Sequence, residues 1–114
     1  IMQIQVNTDN IIQGDARLSE FVKTTIGSRL HRFGSHVTRI EVHLSDENAH
    51  KPGNADKKCV MEARPAGRKP MAVSHIGGNV EQAVTGAAER LERMLDDTFS
   101  KLSDIKRATP PDLE

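Results

Sequence analysis

Polar and apolar residues alternate over residues 2–7, MQIQVN, with Met2, Ile4 and Val6 on one face and Gln3, Gln5 and Asn7 on the other. A period of two predicts a half-buried strand. The period then changes. Leu18, Val22, Ile26, Leu30 and Phe33 recur at helical spacing, with Phe21 widening the stripe, which predicts a helix over 16–33. Asp15 is its expected N-cap and Gly34 its stop. Gly27 falls mid-helix, where it costs ~1 kcal/mol relative to Ala; a close approach to the sheet would explain it. Alternation returns over 38–46, where Ile40, Val42 and Leu44 oppose Arg39, Glu41 and His43. It recurs over 58–64, where Cys59, Met61 and Ala63 oppose Lys58, Val60, Glu62 and Arg64, and over a shorter strand at 71–76. Residues 47–56, with Pro52 and Gly53, read as an exposed loop and PAGRKP as a turn. After Gly77-Gly78, Asn79 can cap a long helix from about 80 to 102 that aligns Val80, Val84, Ala87, Leu91, Leu95, Phe99 and Leu102. Residues 105–114, ending in Pro110 and Pro111, are expected to form a disordered tail beyond a domain spanning 1–104.

The order β-α-β-β-β-α fixes an α+β class. Three consecutive strands make an antiparallel meander, and the first strand joins it through a helical crossover. Both helices then cover the single apolar face of a four-stranded sheet. The expected result is a two-layer sandwich whose other sheet face is wet and carries Lys58 and Arg64.

Charge adds a location rather than a sign. The 16 basic and 16 acidic residues cancel. Yet residues 1–75 hold 11 Lys and Arg against 8 Asp and Glu, and residues 76–114 hold 5 against 8. Six bases and two acids crowd residues 51–69, an excess that can build positive potential whatever the total. Three Phe with no Trp or Tyr leave no platform for stacking single-stranded bases. Cys59 is alone, so there is no disulfide framework. Without an apolar span, the protein is expected to be cytoplasmic, with no membrane partner. Five scattered histidines lack metal-site spacing, and no nucleophile motif or phosphate-cradling loop occurs. No enzyme activity, cofactor, metal or small-molecule substrate is expected, and the free protein is expected to be a monomer.

The element order, the opening MQIQVN, the helix ending RLHRF (29–33) and the run AVTGAAERLERML (83–95) resemble the ribosome hibernation-promoting factor and ribosome-associated translation inhibitor family. The similarity covers about residues 1–102, and Arg90-Leu91-Glu92-Arg93 matches the K/R-L-E-R run of that family's last helix. The resemblance implies a fold similar to a double-stranded-RNA-binding domain. It also implies a bacterial stress-response protein that silences idle ribosomes by occupying the mRNA and tRNA channel of the small subunit. The chain looks like the short form, without the domain that pairs ribosomes.

Two kinds of surface compete for the basic residues. In AAERLERMLDDTFSKL (87–102), Arg90, Arg93, Asp97 and Lys101 form one stripe beside the core face. It is either a solvated flank tied by an Arg93–Asp97 pair worth ~0.3 kcal/mol or, as the resemblance implies, a grip on rRNA phosphate that Asp96 and Asp97 weaken or aim. Lys57, Lys58, Arg64, Arg68 and Lys69 form the stronger electrostatic candidate, and Lys23, Arg29 and Arg32 could extend it along the first helix. Backbone recognition of RNA requires charge and shape alone. The alternative is a protein-interaction or regulatory domain on the same scaffold, without ribosome binding.

Overall fold

The computed structural model describes residues 2–9, 15–47 and 56–99 in full, and the backbone of 100–108. Strand β1 (Gln3–Thr8) leads into helix α1 (Ala16–Leu30), which ends in a 3-10 turn over His31–Phe33. Strands β2 (Val37–Asp46), β3 (Lys57–Pro65) and β4 (Met71–Gly77) follow, then helix α2 (Val80–Ala108). The sheet order is β1-β2-β3-β4, with β1 parallel to β2 and the other pairs antiparallel. This is the two-layer α+β arrangement that the hydrophobic pattern predicts.

The caps act at the expected residues. Asp15 Oδ1 accepts from the Leu18 amide at 2.8 Å, and Asn79 Oδ1 accepts from the Gln82 amide at 2.8 Å. Gln82 Oε1 in turn accepts from the Gly78 amide at 3.0 Å, so donors at the start of α2 are satisfied from both directions. The first helical segment ends at Phe33, before Gly34, as expected, and the second runs further than expected. Gly34 lies at φ −61°, in the right-handed region, and its amide bonds His31 O at 3.0 Å. It closes a 3-10 turn and is not a left-handed cap. Helix α2 runs to Ala108, beyond the expected end at 102, so residues 105–108 are helical. No breaker intervenes before Pro110, which disfavours helix at Thr109. The remainder of the expected tail, and residues 48–55 of the loop between β2 and β3, lie outside the described residues.

Among the described residues the core contains no buried polar side chain. Val22, Ile26 and Leu30 of α1 meet Ile40, Val42 and Leu44 of β2, Cys59, Met61 and Ala63 of β3, and Ala83, Val84, Ala87, Ala88, Leu91 and Leu95 of α2. The α2 stripe is richer in small residues than in bulky ones, so its backbone sits close to β3 and β4. The turn between those strands needs a left-handed residue and has one, Gly67 at φ +73°.

Gly27 has no such reason. A Cβ built there meets nothing within 4 Å, so the expected close approach to the sheet does not occur. Gly27→Ala should therefore raise stability by ~1 kcal/mol through the helix-propensity difference. Urea unfolding followed by circular dichroism checks this: a higher midpoint at unchanged slope is expected.

Candidate nucleic-acid interface

Strand register decides which basic side chains are free. On the face of the sheet turned away from the helices, Arg39 stands opposite Arg64 and Glu41 opposite Glu62. Like charges directly opposite each other repel, and the diagonals resolve the conflict. An Arg64 Nη lies 3.1 Å from both Glu41 and Glu62 carboxylates, and Arg39 reaches Glu41 at 3.4 Å and the Gln5 amide oxygen. Lys57 pairs with Asp46 at 3.0 Å and Lys58 with Glu47 at 3.7 Å. Expected binding residues Lys57, Lys58 and Arg64 are thus each matched to an acid.

The same holds between the helices. Arg29 lies 3.4 Å from Glu89 and from Glu92, and Arg32 lies 3.5 Å from Glu92 and from Asp96. The Arg32 guanidinium also rests over the Phe33 ring at 4.6 Å. Partly exposed pairs of this kind are worth ~0–1 kcal/mol each. Their larger effect is to cancel the positive potential expected along α1.

Arg68, Lys69, Arg90 and Arg93 make no ion pair with another described residue. Arg68, Lys69 and Arg90 flank the side of the molecule where α2 runs antiparallel to the edge strand β4, whereas Arg93 lines the cavity between the helices with Arg29, Arg32, Glu89, Glu92 and Asp96. At one end, Arg90 Nε donates to His75 Nδ1 at 3.3 Å. At the other, Thr98 reaches Met71 Sδ at 3.8 Å, and Arg68 in the β3–β4 turn sits 5.9 Å from the Phe99 ring centroid. Phe99 stacks on His36 and Phe33, with centroids 4.8 and 5.9 Å apart. Positions 90 and 99 are about 14 Å apart along the helix at 1.5 Å per residue, so the uncompensated bases form a ridge. Lys23 is exposed on α1, is also unpaired among the described residues, and does not join the ridge. The Lys101 side chain lies outside the described residues.

The ridge differs from the sequence reading in its membership and in one acid. Asp96, adjacent in sequence to Asp97, turns toward Arg32 and leaves Arg90 unopposed, while Arg93 borders the same cavity as Asp96. Arg93 has no carboxylate partner among the described residues, so the expected Arg93–Asp97 pair is not made. Sequence reasoning missed Arg39, which helps neutralise the sheet face, and His75, which holds Arg90. Fifteen positions separate His75 from Arg90, and only the seating of α2 on β4 joins them.

The remaining histidines are dispersed: His31 beside Ser28 O, His36 on Phe99, His43 exposed on the sheet face, and His50 outside the described residues. Among the described residues, no group of three or more His, Cys, Asp and Glu could hold a metal ion. No helix among them is long and apolar enough to cross a membrane.

Comparison with known proteins places this geometry. The family model described as sigma 54 modulation protein / S30EA ribosomal protein matches residues 4–103. The fold is shared with the N-terminal domain of Protein Y from Thermus thermophilus, at 16% identity and a TM-score of 0.70, covering 85% of this chain and 99% of that one. It is shared also with a ribosomal subunit interface protein from Coxiella burnetii, at 13% identity and a TM-score of 0.69, covering 88% and 99%. No curated protein sequence matches the chain.

Cys59 is fully buried on the central strand, and burial pushes its thiol up to about 12. The thiolate is the reactive form, so Cys59 should resist thiol reagents at pH 8 and react at once in denaturant. Labelling followed by intact-mass measurement tests this. Proton linkage has the same sign: above pH 9 the unfolded thiol ionises while the folded one does not, so stability should fall between pH 9 and about 12.

Proposed function

The chain belongs to the sigma 54 modulation protein / S30EA ribosomal protein family, and from that premise we propose that it is a ribosome hibernation factor. It binds the small ribosomal subunit in the channel otherwise held by mRNA and tRNA, and so inhibits translation. The β4–α2 ridge is the contact surface. Arg68, Lys69 and Arg90 on the ridge, with Arg93 beside it on α2, neutralise rRNA phosphates, and the fold supplies the shape that fits the channel. The observation that carries this reading is the separation of charge: Arg29, Arg32, Lys57, Lys58 and Arg64 are matched to acids, while Arg68, Lys69 and Arg90 are not. Membership of the family also fits the names of the structural neighbours, one of which is a ribosomal subunit interface protein.

A protein-interaction role draws on a different observation. The outer sheet face is charge-compensated and exposes Ile76 at 54%, which suits a protein better than a polyanion. The two readings separate on salt.

Co-sedimentation with small ribosomal subunits across a salt series is the test. Each phosphate neutralised contributes about −0.7 to −0.9 to the slope of log K against log salt, so four contacts give a slope near −3. Replacing Arg68, Lys69, Arg90 and Arg93 with Ala should flatten the slope by about that amount. The charge-balanced pair Arg64→Gln with Glu62→Gln should leave it unchanged, as should Arg29→Gln with Glu92→Gln. Absence of wild-type binding at low salt would overturn the ribosome reading. Loss of the slope in a balanced pair instead of the ridge variant would move the interface to that face.

A further inference from the structure

His75 occupies a place that a side chain on α2 would otherwise fill. A Cβ built at Gly86 would fall 2.1 Å from His75 Cδ2, 2.3 Å from Nε2 and 2.5 Å from Cγ, all within van der Waals overlap. The imidazole therefore lies against the bare helix backbone, and its opposite edge presents Nδ1 to the Arg90 Nε–H at 3.3 Å. This bond uses a single donor of the guanidinium. Both terminal nitrogens of Arg90 make no other described contact, and they form the fork that suits a phosphate.

Resting on the reading above that the ridge meets rRNA, we propose that His75 is a positioning residue for Arg90, and that Gly86 is glycine because the ring needs its place. An exposed arginine on a helix samples many rotamers, and ordering such a side chain on binding opposes affinity. Tethering Nε to a ring that is itself wedged between β4 and α2 removes part of that cost before the phosphate arrives. The bond requires Nδ1 to be the acceptor, so the ring proton resides on Nε2. Neither half of the device works alone. A side chain at 86 evicts the ring, and without an acceptor at 75 the arginine is untethered.

The test has two arms. In the free protein, the Arg90 Nε–H resonance should be distinct and slow to exchange. It should lose that protection in His75→Ala and in Gly86→Ala, and keep it in His75→Asn, whose Oδ1 can accept in place of Nδ1. Backbone amide spectra that overlay the wild type identify the folded variants, and the Asn variant keeps the comparison available if Ala at either site perturbs the fold. With small ribosomal subunits, His75→Ala and Gly86→Ala should each weaken binding roughly 2- to 10-fold, the range expected from ordering one long side chain. His75→Asn should restore it. In an Arg90→Ala background, removal of His75 should change nothing further. An unprotected Arg90 Nε–H in the wild type would overturn the tether. Additive losses from His75→Ala and Arg90→Ala would overturn the positioning role, with the ribosome reading intact. A wild type that shows the protected resonance and binds no subunit would leave the tether standing and overturn both its proposed purpose and the ribosome reading.

Discussion

The close seating of α2 on β3 and β4 is the constraint from which the other features follow. Ala83, Val84, Ala87 and Ala88 are fully buried, so the helix descends onto the sheet until backbone and strand side chains nearly touch. A core of this kind uses little aromatic bulk; Phe33 is its one buried ring among the described residues. Because α2 lies antiparallel to the edge strand, residues on its outer flank align with β4 and the preceding turn. Bulky residues in place of the alanines would lift the helix, separate Arg90 from His75 and draw Phe99 away from Arg68. The proposed contact surface is thus a by-product of core packing, set by small side chains buried beneath the helix.

The second layer of organisation is electrostatic. Exposed ion pairs add little to stability, so the matched charges on the sheet face and between the helices are better understood by the field they leave behind. Arg29 and Arg32 are screened by Glu89, Glu92 and Asp96, and Arg64 by Glu41 and Glu62. What remains uncompensated is local and directional. A polyanion responds to local potential and to the counterions displaced at each contact, so the zero formal net charge of the chain is compatible with a salt-sensitive grip.

Nearly all of the fold was legible in the sequence because one sheet face and one stripe on each helix are buried, and burial writes its period into the chain. Val22, Ile26 and Leu30, or Ile40, Val42 and Leu44, could hardly be placed otherwise. The boundaries were less legible where no strong signal stands: nothing just after residue 102 marks an end, and α2 runs on to Ala108. The site was legible only in part. Basic residues could be counted along the chain, but pairing is a property of register and helix contact. Lys58 and Arg64 looked like the stronger half of the surface because Glu47 and Glu41 approach them only after the strands align. In the sequence Arg90 reads as compromised by the neighbouring acids, yet Asp96 serves Arg32. The unpaired ridge was recoverable from the sequence only as a set of candidates, because the acids that neutralise other bases lie as far as 64 positions away.

That reassignment changes what the acidic pair means. If Asp96 belonged to the ridge it would repel phosphate and weaken any contact made by Arg90. Paired instead with Arg32, it holds negative charge on the α1 side of the helix and removes a competing basic patch there. In the proposed complex the polyanion would meet a cationic line along β4 and α2, with a compensated surface on the α1 side of the helix. Orientation follows from that asymmetry as much as affinity does. Phosphate contacts carry no sequence information, yet they fix how a protein sits on its nucleic acid, and a ligand offered two basic faces could be held in two ways. The acids on α2 leave only one.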